Sequence, residues 1–240
     1  MTDRTWIILG ASSVIAEQFA HLAAQAGCSL RLVGRNKEQL DLIAKDIQIR
    51  FKVACDGLVQ DLTKDENGFI DVLRSKNSEI DLFIAHSDFT SNDHLNSHSI
   101  NRLLTVNIAS TVQIIDHYLK LPQSQHKLVY LSSVAACRGR AKNSLYGASK
   151  AAVEVYLQGL QQKTSNTQVI TIARLGYIDT KQTYGLPGIF YAAPPSECAL
   201  ACWKAVSKGK AFIYFPKFWK WIAAVITHLP FFIYKRMGAI

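Results

Sequence analysis

Tyr146 and Lys150 stand four residues apart in Leu145-Tyr146-Gly147-Ala148-Ser149-Lys150, and Ser133 lies thirteen residues before the tyrosine, closing the apolar run Lys127–Ser132. On a helix, residues at i and i+4 project from one face, one turn apart. A phenol titrates near about 10, and a neighbouring ammonium favours the phenolate, which brings the group closer to the range useful for general acid–base work. A serine at a strand end can hold a carbonyl oxygen by hydrogen bond. A lone Tyr-x-x-x-Lys recurs on solvated helices. Joined to Ser133 and to a nucleotide-binding layout, it points to proton transfer at a carbonyl or alcohol.

A second set of residues suits a nucleotide. The first strand runs into Gly10-Ala11-Ser12-Ser13-Val14-Ile15-Ala16. A tight glycine turn between a strand and a helix N-terminus can cradle a pyrophosphate, because backbone N–H groups and the helix dipole point at it. Only one glycine is present, so an ordinary strand-to-helix turn is an equal reading of this segment alone. The second strand ends Val33-Gly34-Arg35-Asn36, where an NAD-specific site would place an acid against the ribose 2′-hydroxyl. No acid is available, and Arg35 can pair with a 2′-phosphate, which favours NADP(H) over NAD.

The elements that must position these residues follow from periodicity. Candidate strands are Thr5–Leu9, Ser29–Val33, Phe51–Cys55, Asp81–Ala85, Lys127–Ser132, Gln168–Arg174 and Ala211–Phe215, separated by helical stretches near 14–26, 37–49, 65–76, 98–119, 147–163 and 195–207. Strands alternating with helices, without a linker or repeat, predict an α/β fold: one doubly wound parallel sheet, a Rossmann fold, over residues 1–215. Residues 216–240 form an amphipathic tail outside that core.

Composition narrows the function classes. Hydrophobic residues make up 49% of 240, enough for a sizeable core. Five scattered cysteines, an odd number without Cys-x-x-Cys spacing, argue against a disulfide framework or a zinc site. They favour a reducing, cytoplasmic setting, and the approach to the first strand shows no apolar signal core. The net charge of +9 is a property of the C-terminal end, since residues 198–240 carry seven Lys/Arg and no acid. Without nucleic-acid-binding signatures this does not indicate DNA or RNA. His94 and His98 are read as solvated, with no metal expected, and Cys198 and Cys202 as buried thiols on one helix face.

Gly10-Ala-Ser-Ser, Asn107, Ser133 and Tyr146-x-x-x-Lys150, in this order and spacing, resemble the short-chain dehydrogenase/reductase family over residues 5–215. The resemblance implies an NADPH-dependent oxidoreductase that interconverts a ketone and a secondary alcohol. Tyr146 would donate the proton, Lys150 would bind the nicotinamide ribose and lower the tyrosine pKa, and Ser133 would orient the substrate oxygen. Asn107 would hold a water in a proton relay. Asp61 and Leu62 match the pair that contacts adenine, and Gly176, Ile178 and Thr180 belong to the segment covering the nicotinamide. Three features depart from the pattern: Val14 and Ala16 replace glycines, Ala85-His86-Ser87 replaces Asn-Ala-Gly, and Leu175 replaces a proline. They mark a divergent bacterial branch, similar to reductases of lipid-linked sugars.

Substrate contacts are expected from His86 and from Arg138 and Arg140, which lie between Ser133 and Tyr146 and could hold an anionic group or form a solvated rim. The resemblance implies a homo-oligomer, with the helices near 98–119 and 147–163 at the contact; Leu103, Ile114, Ile115, Val155 and Leu157 supply more apolar surface than one sheet face needs, although some of it must be core. Pro216 and Pro230 bracket a tail helix with Phe218, Trp221, Ile222, Val225, Ile226 and Leu229 on one side, too short to span a bilayer. It would be a lid, an interface or a peripheral contact at the inner face of a membrane. A non-catalytic NADP(H)-binding sensor or a membrane-surface interaction protein on the same fold is the competing function, opposed by the intact Ser133, Tyr146 and Lys150.

Overall fold

A computed structural model describes residues 4–63, 72–73, 79–163, 167–180, 183 and 190–237. Seven parallel strands form one sheet: β1 (Arg4–Leu9), β2 (Ser29–Gly34), β3 (Cys55–Val59), β4 (Glu79–Ile84), β5 (His126–Ser133), β6 (Gln168–Leu175) and β7 (Phe212–Phe215), in the spatial order β3-β2-β1-β4-β5-β6-β7. The order reverses direction between β1 and β4, and a crevice opens there beyond the carboxyl ends of the strands. Because side chains alternate across a strand, Trp6 and Ile8 enter one apolar layer while Ile7 and Leu9 enter the other. Both faces are therefore covered, the arrangement expected for parallel strands.

The helices covering one face are α1 (Val14–Gln25), α2 (Lys37–Phe51) and α6 (Pro195–Ser207). Phe19 of α1 stacks on Phe83 with ring centroids 4.0 Å apart and meets Trp203 of α6 edge-on. Cys198 and Cys202 are buried in this layer, as their spacing predicts. The other face carries α3 (Ser97–Leu104), a π-helical turn (Thr105–Ala109), α4 (Ser110–Leu119) and α5 (Ser144–Gln161). Asn96 starts α3 with a reciprocal capping box to Ser99. The helix expected near 65–76 lies mostly outside the described residues.

Three expectations are corrected. The third strand is Cys55–Val59, not Phe51–Cys55: Phe51 ends α2, Lys52 caps it in the left-handed region at φ 57°, and the strand follows. As the edge strand it leaves Asp56 and Gly57 exposed, so its residues show no continuous apolar run. Leu103, Ile114, Ile115 and Leu157 are wholly inside the core, and only Val155 of the five residues assigned to an oligomer contact is exposed. The tail forms two helices, α7 (Trp219–His228) and α8 (Phe231–Arg236). Its buried residues are Trp219 and Ala223, whereas Trp221 and Val225, on the apolar side read from the period, face outward. Trp219 covers Gly176, where even a Cβ would overlap the indole, and that fit sets the rotation of the helix.

Gly10 is required twice over, since its φ of 77° disfavours any side chain and a Cβ there would lie 2.6 Å from the backbone nitrogen of His86. Gly27, at φ 82°, has open space around the same position. Gly10→Ala is therefore expected to cost about 2 kcal/mol or more, and Gly27→Ala about 1 kcal/mol. Urea denaturation of both variants checks this, and equal losses would remove the close approach as the cause.

Candidate active site

Tyr146 lies in the first turn of α5 and Lys150 one turn on, so both face the end of β5. Asn92 fastens the start of this helix: its amide donates to the carbonyl of Ala141 at 2.6 Å and to Ser144 Oγ at 2.9 Å, and its oxygen accepts from Ser144 N at 3.1 Å. Gly147 lets the helix press against the turn after Ser133, because a Cβ there would sit 2.5 Å from the Ala135 carbonyl oxygen. Sequence reasoning gave neither residue a role. Their signals, an asparagine in the 86–98 segment and a glycine where a helix prefers alanine, are too common to read without the neighbours they meet.

The Lys150 ammonium is 3% exposed and donates to the carbonyl of Leu131 at 3.0 Å. It lies 4.9 Å from the Tyr130 ring centre and 5.9 Å from that of Tyr146. Burial lowers its pKa to about 8, partly offset by Glu154, one turn further along α5. Glu154 is itself buried and pairs through both oxygens with Arg174 of β6, which also donates to Tyr214 Oη at 2.5 Å.

Tyr146 is hydrogen-bonded to the side chains of Ser133 and Ser87, and Phe89 packs edge-on at 5.2 Å. Burial pushes the phenol up to about 12, outweighing those two hydrogen bonds. The sequence argument weighed only the nearby cation; desolvation of the phenolate is the larger effect here. The phenol thus holds its proton at neutral pH, the form that can give a proton to an oxygen developing negative charge. Ser133 Oγ also accepts from Ala135 N at 3.1 Å, which fixes its rotamer toward the tyrosine side of the turn.

The stretch after β4 is held by Asn107, in the π-helical turn. Its oxygen accepts from Asp88 N at 2.6 Å, and its amide donates to the Asp88 carbonyl at 2.9 Å and to Ser149 Oγ at 3.0 Å. Each polar atom of this amide is engaged, so Asn107 ties residue 88 to the catalytic helix and positions Ser87 beside Tyr146. Asp88 pairs with Arg102 at 2.7 Å. His86 does not face the substrate side. Its ring is buried, bonds Thr111 Oγ1 at 2.9 Å, and has its pKa pushed down to about 3 by burial and the nearby Lys150 charge. The expected substrate contact is instead a neutral packing residue beneath the turn.

On the other side of the crevice, Gly10 N and Ala11 N both bond the Val33 carbonyl, at 2.9 and 3.1 Å, joining the glycine turn to the end of β2. Ser13 begins α1 without a side-chain cap, leaving the first N–H groups of the helix directed outward beside exposed Ser12 and Val14. Ile15 and Ala16 are buried, so the Cβ at position 16 is absorbed by the core and only Val14 meets the crevice rim. Arg35 is exposed, with no hydrogen bond or ion pair among the described residues. Asp61 accepts from Thr63 N and Oγ1 at 3.0 and 2.8 Å, and Leu62 packs on the core. Ala85 N bonds Leu9 O at 2.9 Å across the reversal point.

Gly176, Ile178 and Thr180 follow β6. Gly176 N bonds Phe215 O at 2.9 Å, Ile178 bridges Ala193, and Thr180 N donates to Thr183 Oγ1 at 3.1 Å. An uncapped helix N-terminus, an unpaired arginine at the end of β2 and a buried ammonium across the crevice are together the donor set that a phosphorylated dinucleotide requires.

Arg138 is engaged by the tail through one of its nitrogens. Its Nη1 donates to the carbonyls of Ile226 and Leu229, at 2.5 and 2.7 Å, and its guanidinium lies 4.1 Å over the Tyr234 ring. Tyr234 Oη in turn donates to Gly139 O at 2.6 Å. The loop between Ser133 and Tyr146 thus clamps the tail, and Arg138 neutralises the C-terminal carbonyls of α7. Arg140 remains half-buried beside it, without a hydrogen bond or ion pair among the described residues.

The family profile described as short chain dehydrogenase matches residues 4–186. An Arabidopsis thaliana 11-beta-hydroxysteroid dehydrogenase-like protein is 28% identical over 247 residues, covering 96% of this chain and 79% of its own. An uncharacterized oxidoreductase of Staphylococcus epidermidis is 29% identical over 192 residues, 76% of this chain and 81% of its own. Among solved structures, a Sphingobium yanoikuyae short-chain dehydrogenase in complex with NADPH superposes with a TM-score of 0.78 at 23% identity, covering 89% of this chain and 88% of that one. An Agrobacterium tumefaciens 3-oxoacyl (acyl-carrier-protein) reductase with NADP bound gives 0.76 at 19% identity, covering 89% and 93%.

Of the three shifted pKa values, that of Lys150 sets a pH dependence. Lys150 is charged below about 8, Tyr146 is protonated below about 12, and His86 titrates near about 3, outside the working range. Carbonyl reduction followed as kcat/KM for the reduced cofactor, which reports the free enzyme, should be level near neutral pH and fall as pH rises through about 8. Lys150→Met should remove that falling limb together with most activity. A wild-type profile level to pH 10 or so would disconnect the buried ammonium from turnover.

Proposed function

Because this chain belongs to the short-chain dehydrogenase family, we propose that it interconverts a ketone and a secondary alcohol at Ser133, Tyr146 and Lys150, with NADP(H) as its cofactor. The observation that carries the reading is the hydrogen-bonded Ser133–Tyr146 pair above a buried Lys150 ammonium, facing the crevice at the sheet's reversal point. NADPH, when bound, supplies the hydride. Ser133 receives the substrate carbonyl oxygen, and Tyr146 delivers its phenolic proton to that oxygen as negative charge develops. Lys150 contributes positive charge beneath the tyrosine and a donor toward the nicotinamide ribose. Arg35 pairs with the 2′-phosphate, the first turn of α1 at Ser13, Val14 and Ile15 receives the pyrophosphate, and Asp61 and Leu62 border the adenine.

The substrate class is a ketone or secondary alcohol with an apolar body. Phe89 flanks Tyr146, and Trp219 and Tyr177 pack where the segment after β6 meets the tail. The hydroxysteroid named for the Arabidopsis relative fits that class. An anionic, lipid-linked substrate has less support from the site, since Arg138 is partly engaged by the tail. Pairing of two copies through exposed Leu104, Ala148, Ala152 and Val155 on α3 and α5 is the oligomeric contact consistent with this reading.

Tyr146→Phe keeps the ring and removes the proton. It should bind NADPH with near-normal affinity and lower turnover on a panel of ketones by about 10²–10⁴. Near-normal turnover in that variant would overturn the assignment. Arg35→Asp deletes a phosphate partner and adds repulsion, so the ratio of kcat/KM for NADPH to that for NADH should fall by at least about tenfold. A wild-type enzyme that already prefers NADH would remove Arg35 from the cofactor site.

A further inference from the structure

The tail is locked in rotation by three contacts: Arg138 on the Ile226 and Leu229 carbonyls, Tyr234 on Gly139, and Trp219 on Gly176. With Trp219 and Ala223 committed inward, Trp221 (71%), Val225 (62%), Phe231 (71%) and Phe232 (66%) are left exposed on α7 and α8. Ile233 and Met237 extend the same surface. Exposed large apolar side chains this dense exceed the scattered singles of an ordinary soluble surface and need a partner.

Charge indicates which partner. Lys217, Lys220, Lys235 and Arg236 rim the apolar face, and no acid occurs after Glu197. None of the four cations has an ion pair among the described residues; Lys220 lies 5.7 Å over the Trp221 ring. Beside Trp221, the open edge of β7 adds a recess of about 530 Å³ lined by Phe212, Ile213, Tyr214, Lys217, Lys220 and Trp221. Ammonium groups over an aromatic, apolar floor suit a phosphate headgroup attached to acyl chains. A second copy of this chain would bring the same positive rim against itself. No helix among the described residues is long and apolar enough to cross a membrane.

We propose that the outer face of α7 and α8 docks on the surface of an anionic lipid bilayer, with its aromatic side chains in the headgroup region and its four cations against lipid phosphates. The Arg138–Gly139 clamp joins that face directly to the loop between Ser133 and Tyr146, so the docked surface borders the site. The proposal is independent of the carbonyl chemistry, and vesicle binding is its readout.

The full-length protein is sedimented with vesicles of phosphatidylcholine alone or mixed with phosphatidylglycerol, at low and high salt. Partitioning to the mixed vesicles should be stronger by at least about tenfold and should weaken with salt. Trp221→Ser/Phe231→Ser/Phe232→Ser should lose it while retaining reduction of a water-soluble ketone, since none of the three touches the site. Should that variant fold poorly, Lys217→Glu/Lys220→Glu/Lys235→Glu should lose the preference for anionic vesicles with the apolar face intact. Equal binding to both vesicle types, no binding at low salt, or unchanged binding by both variants would overturn the proposal. So would a dimer, seen by light scattering, that the serine variant abolishes without any vesicle binding by wild type.

Discussion

A lysine ammonium that is 3% exposed organises the centre of this molecule. Taking such a charge out of water costs several kcal/mol unless other groups compensate. The compensation comes from three directions: the Leu131 carbonyl at the end of β5, the face of Tyr130, and Glu154 one turn along α5. Glu154 is in turn held by Arg174 on β6, which reaches Tyr214 on β7. One buried charge therefore binds a helix and three strands into a single arrangement, and Tyr146 takes its place from that arrangement. The Gly147 contact with the Ala135 carbonyl is the steric side of the same constraint, because any Cβ there would lift the helix from the turn bearing Ser133.

The substitutions that set this chain apart gather around that centre. His86 fills the space beneath the turn after β4 and bonds Thr111 just past the π-helical turn, while Asn107 from that turn binds both Asp88 and Ser149. A π-helical turn frees a helix from its regular hydrogen-bond ladder, and such turns recur at functional sites for that reason. Here it aligns an amide with the backbone at position 88 and a hydroxyl on the catalytic helix together. Val14 and Ala16, at positions where glycines were expected, are accommodated differently. Position 16 is absorbed by the core and position 14 lies at the rim, so the glycine turn itself keeps its geometry.

The tail is part of the same unit. Arg138, read from its place in the chain as a substrate contact, ends α7 by bonding two of its last carbonyls, and Trp219 rests on Gly176 beside the crevice. The tail is thus fastened by a residue whose type suggested binding, and it leaves its own aromatic outer face uncovered.

The sequence by itself determined a doubly wound sheet of strands alternating with helices and the pairing of Tyr146 with Lys150 on one helix face, because these depend on period, turn chemistry and i,i+4 spacing, all local properties of the chain. The third strand was misplaced because an edge strand buries too little to carry an apolar run. Which of Leu103, Ile114, Ile115, Val155 and Leu157 belong to the core stayed open, because periodicity shows that a face is apolar without showing what covers it. Only the tertiary structure decided that burial outweighs charge at Tyr146, that His86 points inward, that Asn107 binds both Asp88 and Ser149, and that Arg138 bonds the tail. Each of these depends on neighbours between 19 and 91 residues away in the chain, and desolvation and long-range hydrogen bonds have no signature in local spacing.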